Sequence, residues 1–167
     1  MESSVITIRK MLSGDREEIK DILYKTPQFS EEERLCALEL IDLYNKQGEK
    51  SGYDFFVSAG SDEKILGYIC FGNIPLTDAC FDIYWIVVDN NSQNTGIGTQ
   101  LLDAVLARLN DIGARKLFVE TSSRSIYTSA HNFYQNRGFK LISHIEDFYK
   151  VGDGKLLFMK DLGRRFE

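Results

Sequence analysis

Gln93-Asn94-Thr95-Gly96-Ile97-Gly98 is the segment of this chain best suited to hold a ligand. It lies between an apolar run, Phe81–Val88 (FDIYWIVV), and a stretch in which Ile97, Leu101, Val105, Leu109 and Ile112 recur every three or four residues, the period of an amphipathic helix. A helix start exposes N–H groups that lack intrahelical partners and carries partial positive charge, which suits a phosphate. Gly96 and Gly98 permit close backbone approach, so a loop of this kind can wrap a pyrophosphate. Two glycines also make ordinary turns, and the loop alone names no ligand. Two nucleotide motifs do not fit it. A P-loop requires GxxxxGK[ST], and no lysine follows here. A dinucleotide fingerprint requires a third glycine, which Gly98-Thr99-Gln100-Leu101 lacks.

Other reactive groups are sparse. His131 and His144 are the two histidines, too scattered for most metal or triad chemistry. Cys36, Cys70 and Cys80 are odd in number and form no CxxC pair. They read as free thiols in a reducing compartment rather than a disulfide frame or a zinc site. No metal is expected. A net charge of −5 argues against a nucleic-acid partner, whose phosphates need a basic surface. No run approaches the ~18 apolar residues of a membrane helix. Met1-Glu2-Ser3-Ser4 lacks the basic-then-apolar layout of a signal peptide. The expectation is a cytoplasmic protein with no membrane partner.

The elements that must position the loop follow from pattern. Val5–Lys10 alternates apolar and polar residues and predicts a first strand. A helix is expected from Asp15 to Tyr24, with Ile19, Ile22 and Leu23 at helical spacing, broken at Thr26-Pro27. Ser30-Glu31-Glu32-Glu33 is a capping-box signature opening a second helix that buries Leu35, Leu38, Ile41 and Tyr44. Strands at Phe55–Ala59 and Ile65–Phe71 flank a Gly60-Ser61-Asp62 turn. FDIYWIVV is apolar enough to be buried on both faces. Lys116–Thr121 predicts another strand and Thr128–Arg137 another helix, closed by Gly138. Phe139–Ile145 and Lys155–Lys160 form a last hairpin around Val151–Gly154. At 167 residues, 43% of them hydrophobic, the chain fits one domain with its own core. The fold expected is α/β (or α+β), with a mixed sheet and no internal boundary between 1 and 167.

Two motifs together resemble the GNAT superfamily of N-acetyltransferases. Ile86-Val87-Val88, then Gln93, Gly96 and Gly98, match its apolar strand followed by Q/R-x-x-G-x-G/A and a helix. Asn132-Phe133-Tyr134-Gln135-Asn136-Arg137-Gly138-Phe139 is similar to its helix ending in [LF]-Y-x-x-x-G-F, and the element order agrees over nearly the whole chain. The resemblance implies a sheet of about seven strands flanked by about four helices, with the fourth and fifth strands splayed apart. It implies acetyl-CoA as co-substrate and no metal. Backbone amides of Gln93, Asn94, Thr95, Gly96, Ile97, Gly98 and Thr99 would cradle the pyrophosphate. Ile86, Val87 and Val88 would border the pantetheine arm, an amide near Ile86 polarising the thioester carbonyl.

The same resemblance implies the catalytic candidates. Acetylating a lysine-like amine requires a proton to be removed, which costs about 4–5 kcal/mol at pH 7. Tyr134 occupies the position of the family's tyrosine near the coenzyme sulfur and would act as the acid. Asp82 falls in the strand where some members carry a glutamate base; four residues of strand place it about 13 Å from Ile86, too far for direct contact with the reacting carbon, so that it would act on a long acceptor or through water. Glu120 is the second candidate base, and water chains are a third route. Where the family often has an asparagine contacting the coenzyme, this chain has Ser129, with Asn132 nearby. Arg124 is expected to be a solvated loop residue, and neither histidine is expected to be catalytic.

The acceptor would meet Tyr24, Phe29, Tyr44 and the stretch Glu146-Asp147-Phe148-Tyr149, acidic and aromatic groups that suit an amine. A protein or peptide amine, a polyamine and a small-molecule amine all stay open, and a homodimer is expected by resemblance. Two other readings stand beside the transferase. One is a coenzyme-A-binding sensor or interaction module without transfer; the other is a nucleotide-phosphate binder using the same loop.

Overall fold

The computed structural model describes residues 6–163. Val5, expected to open the first strand, and the Met1–Ser4 stretch lie outside them. The chain forms two compact units: one comprises the chain up to Gly72 together with Trp85–Leu109, the other Asn73–Tyr84 together with the chain from Asn110 on. No helix among the described residues is long and apolar enough to cross a membrane.

The first unit contains β1 (Thr7–Lys10), α1 (Arg16–Lys25), α2 (Glu31–Gln47), β2 (Tyr53–Ala59), β3 (Ile65–Asn73, as far as Gly72), the second half of β4 (Cys80–Val88) and most of α3 (Ile97–Asp111). Its strands run in the order β1-β2-β3-β4, with β1–β2 and β2–β3 antiparallel. The capping box forms as expected. Ser30 Oγ accepts the Glu33 N–H at 3.2 Å, and the Glu33 carboxylate accepts the Ser30 N–H at 2.7 Å. Arg34, one turn on, donates to the carbonyls of Leu23 and Thr26 and so satisfies the end of α1. Ile19, Ile22 and Leu23 of α1 and Ala37, Leu38 and Ile41 of α2 share a core with Phe55, Val57, Tyr68 and Cys70. Leu35, expected in that stripe, is 49% exposed instead, and Ala37 takes the inward position.

Gly67 decides how closely β3 meets β4 and α3. A Cβ there would lie 2.8 Å from the Val87 carbonyl oxygen and 3.3 Å from Ile97. A bare glycine lets the end of β4 and the first turn of α3 settle against β3, which the Asp89 N–H also grips by donating to Leu66 O at 2.8 Å. Leu101, Leu102, Val105 and Leu109 then bury the rest of the helix face, while Ile112 falls past its end and is exposed.

The second unit contains the first half of β4, β5 (Lys116–Ser122), α4 (Thr128–Asn136), β6 (Lys140–Lys150) and β7 (Asp153–Asp161), with strand order β4-β5-β7-β6. With β4 lending one half to each unit, the described residues form seven strands and four α-helices, the mixed α/β class expected. β4 pairs parallel to β5 over Cys80–Ile83 against Lys116–Val119, whereas β4 itself continues to Val88 and β5 to Ser122. Beyond Val119 the partners of β5 are on β7. The last hairpin is tighter than expected: Lys150 faces Asp153 across a Val151-Gly152 turn, with Gly152 at φ +81. Asp147-Phe148-Tyr149 therefore lies within β6, in an irregular stretch of the pairing rather than in a turn.

Gly67→Ala will lower stability by about 1–3 kcal/mol, because the atom it meets is backbone and cannot rotate away. Thermal unfolding will show it as a Tm loss of roughly 2–4 °C per kcal/mol. An unchanged Tm would contradict the close packing described.

Candidate functional site

The candidate loop begins where β4 ends. Asp89, buried, accepts the Asn91 N–H at 3.1 Å with its carboxylate, and its carbonyl accepts the Ser92 N–H at 2.8 Å, winding one 3-10 turn over Asn90–Ser92. Asn90 ties that turn to α1 by donating to Lys25 O at 2.7 Å, and the Gln93 side chain donates to Asn90 Oδ1 at 3.0 Å. The Thr95 hydroxyl donates to Ser92 O. Asn94 and Gly96 adopt positive φ, +61° and +86°. Alternating backbone of this kind turns successive N–H groups toward one concavity. Gln100 N–H donates to Gly96 O at 3.0 Å. The N–H groups of Ile97, Gly98 and Thr99 ahead of it are the first-turn donors that no helix can satisfy internally. A Cβ at Gly96 would meet nothing within 4 Å, so its left-handed φ rather than lack of space is what favours glycine there. This loop fits a pyrophosphate.

Side chains of the loop divide by role. Ile97 and Val87 are buried in the first unit's core, so only their backbone could face a ligand. Ile86 and Val88 are half-buried; Gln93, Asn94, Thr95 and Gly96 are exposed, and Gly98 and Thr99 half-buried. Phe29 and Tyr44, expected at the acceptor side, are committed to packing: Phe29 meets Trp85 edge-on at 5.3 Å, and Tyr44 lies 5.1 Å from Phe55. The Tyr24 hydroxyl donates to Glu31 at 2.8 Å, with Arg34 over its ring.

In the second unit, strand register brings Asp82 and Glu120 onto one face of the sheet. Asp82 sits beside Phe118, and Glu120 is two residues further along β5. Asp82 is half-buried. Its pKa is raised to about 6, first by burial, then by the negative charge of Glu120, with Lys155 opposing. Lys155 Nζ lies 2.8 Å from Glu120 Oε1 and 4.7 Å from the centre of the Phe148 ring. Phe148 and Tyr149 are about half exposed and meet edge-on at 5.0 Å.

Tyr134 approaches from the other face. Its ring, 4% exposed, sits among Phe133, Phe139 and Phe158 at 5.5–5.9 Å. Phe158 pairs with Val119, whose side chain points opposite to those of Phe118 and Glu120. Burial pushes the phenol well above its ordinary pKa, so it remains a hydrogen-bond donor throughout the neutral range. Ser129 and Asn132 of α4 are both exposed. His131 is engaged structurally: its Nε2 lies 2.9 Å from Ser122 O and its ring stacks on Phe158. His144 is exposed on β6, and Arg124 is half-buried with its guanidinium 6.0 Å from the Tyr127 ring.

Lys155 and Gly67 escaped the sequence reading. An isolated glycine in a strand is a recognisable sign of close approach. Lys155 carries no such sign, since only the β5–β7 register places it beside Glu120. Among the described residues no cluster of histidine, cysteine, aspartate and glutamate could hold a metal ion.

The acetyltransferase (GNAT) family profile matches residues 16–139. A solved structure from Desulfovibrio desulfuricans assigned to the GNAT family is similar at 31% identity and TM-score 0.91, covering 95% of this chain and all of that one. The ribosomal-protein-S18-alanine N-acetyltransferase of Escherichia coli shares the fold at 18% identity and TM-score 0.77, over 98% of this chain and 97% of its own. So does a protein from Salmonella typhimurium described as an acetyltransferase and solved with acetyl-CoA, at 16% identity and TM-score 0.76, over 98% of each chain. Among curated proteins no relative matches.

The raised pKa of Asp82 has a consequence for stability. Folding favours its protonated form, an advantage complete below pH ~3.9 and lost as pH rises through about 6. Asp82→Asn will therefore raise Tm more at pH 8 than at pH 4. Allowing for solvent screening of a half-exposed group, the gain at pH 8 is about 1 kcal/mol, roughly 2–4 °C. Melting curves of both proteins at the two pH values test this; equal differences at both would refute it.

Proposed function

This chain belongs to the acetyltransferase (GNAT) family, and we propose that it transfers the acetyl group of acetyl-CoA directly to a primary amine, the whole chain 1–167 serving as one transferase domain. The observation that carries the reading is the loop at the start of α3, within the matched segment. Its left-handed Asn94 and Gly96 and its first-turn N–H groups are what a pyrophosphate requires. Bound acetyl-CoA supplies an activated acyl thioester; the remaining chemistry falls to the protein.

Backbone amides from Gln93 to Thr99 hold the pyrophosphate. The Ile86 amide donates to the thioester carbonyl oxygen as negative charge develops there, and its effect is largest in a dry, pre-arranged site. Tyr134 donates a hydrogen bond to the departing sulfur. With its pKa raised by burial, it acts by stabilising charge more than by complete proton donation. Asp82 and Glu120 are the candidate bases for the amine. Asp82, titrating at about 6, is ionised at neutral pH yet basic enough to take a proton.

The acceptor is an amine drawn from peptide N-termini, protein lysines, polyamines or small molecules. The exposed Phe148 and Tyr149 and the neighbouring carboxylates give an ammonium-bearing acceptor aromatic faces and counter-charge. A reducing, cytoplasmic setting accords with three free cysteines, of which Cys70 and Cys80 are buried.

Thiol release from acetyl-CoA, followed against a panel of amines and N-terminal peptides, tests the proposal. Acceptor-dependent release is expected, and Tyr134→Phe should lower kcat by about 10²-fold with acetyl-CoA affinity little changed. Tight acetyl-CoA binding without release for any acceptor would favour a sensor or interaction module. Absence of acetyl-CoA binding would overturn the proposal.

A further inference from the structure

Lys155 brings a positive charge to the face that holds Asp82 and Glu120, and the reaction as described above has no use for it. Lysine is rarely covered without a partner, yet this side chain is only 18% exposed. Two contacts hold it there. Its ammonium lies 2.8 Å from Glu120 Oε1, and it rests 4.7 Å from the centre of the Phe148 ring, a cation–π contact. The register explains the first: Lys155 is opposite Ser122 and Leu157 is opposite Glu120, which makes Lys155 and Glu120 diagonal neighbours on one face. The irregular pairing between Ile145 and Lys150 accompanies the second, since Phe148 lies within it.

The two carboxylates on this face therefore differ in kind. Protonating Glu120 would break its ion pair with Lys155. Asp82 feels Lys155 through longer-range attraction only, which opposes the effects of burial and of Glu120. We propose that Lys155 is a positioning residue of the transfer reaction: seated on Phe148, it fixes Glu120 as a standing counter-charge and leaves Asp82 as the group that takes the amine's proton. This rests on the transferase reading. Asp82, about 13 Å along the strand from Ile86, takes one proton from the acceptor ammonium through intervening water and passes it to solvent. The freed lone pair forms the N–C bond, the C–S pair leaves on sulfur, and the second nitrogen proton ends on the thiol.

The charges surrounding Asp82 make the assignment testable. On its sheet face β5 contributes Lys116 and Glu120, β7 contributes Asp153, Lys155 and Asp161, β6 contributes Lys140 and Lys150 opposite Met159 and Asp153, and Tyr84 follows on β4. Lys116 and Asp161 pair with each other at 3.3 Å and largely cancel. Of the others, Glu120 and Lys155 are the charges that act on Asp82, and they do so in opposite senses.

The experiment is the pH dependence of kcat/KM for the best amine of the panel, measured on Glu120→Gln, Lys155→Met, Lys155→Arg and Asp82→Asn. The acid limb should move down by roughly 0.5–1 pH unit in Glu120→Gln and up by a similar amount in Lys155→Met. Lys155→Arg should restore it, and Asp82→Asn should abolish it. A merely structural role would lower rates without moving the limb in opposite directions. Parallel shifts, no shift, or loss of the limb in Glu120→Gln would overturn the assignment. The Asp82 carboxyl should show the same two opposed shifts by ¹³C NMR titration of the protein without acetyl-CoA. Opposed shifts there with no turnover for any amine would mean that the transferase reading had failed, and with it the role for Lys155. Their absence alongside turnover would overturn the role for Lys155 alone.

Discussion

β4 is the constraint on which the rest depends, because one nine-residue strand must satisfy two sets of neighbours along its length. Cys80–Ile83 are held by parallel hydrogen bonding to β5, and Val87 enters the core beneath α1 and α2. Immediately beyond, Asp89 N–H is anchored to Leu66 and its carboxylate starts the turn that leads into the loop. A strand so placed can be apolar almost throughout, and a charge such as Asp82 persists within it only at a cost in solvation. The raised pKa of that carboxylate is this cost expressed as chemistry. A group useful as a base near neutral pH is, for the same reason, a burden on folding.

The loop inherits its shape from this anchoring. Gly67 admits the Val87 carbonyl and Ile97 at distances no other residue would allow, which fixes where α3 begins. The positive φ angles of Asn94 and Gly96 then aim the free N–H groups. Recognition through backbone needs few particular side chains, and those of Gln93, Asn94 and Thr95 are spent largely on exposure and local bonds to the turn. Ligand affinity in such a site belongs to the path of the chain.

That division explains what could be read from the sequence. Features carried by local pattern were legible: the Ser30/Glu33 capping box, the α3 stripe from Ile97 to Leu109, the glycines of the loop, and the helix that ends at Gly138. Each depends on residues a few positions apart, and helical or turn geometry fixes their relation. Leu35 was misplaced because a helix with apolar residues on more than one side offers two stripes, and only tertiary packing chooses between them. The hairpin turn was placed too broadly because Asp147–Tyr149 carry turn-like and strand-like residues together, and the pairing of Lys150 with Asp153 settles the matter. The site residues named from the family motifs kept their elements, but their mutual placement could not be foreseen. That Asp82 shares a face with Glu120 while Tyr134 lies behind Val119 and Phe158 follows from register, which slips by a whole face for each residue of error.

The same reasoning separates what a shared fold carries from what it leaves free. The Escherichia coli enzyme that acts on the alanine of ribosomal protein S18 overlays nearly the whole of this chain at 18% identity. At that distance the backbone is retained while most side chains have changed. The placing of N–H groups and strand edges depends on the path of the chain more than on its side chains. Side-chain features such as Phe148, Tyr149 and Lys155, set on β6 and β7, are free to differ at that distance. Lys155 is the sharpest case. Replacing it with an uncharged residue would leave the hairpin standing, yet it would alter the charge beside both carboxylates at once. Asp82 on β4 and Glu120 on β5 thus share one face with side chains of the β6–β7 hairpin, whereas the loop that continues β4 presents mainly backbone.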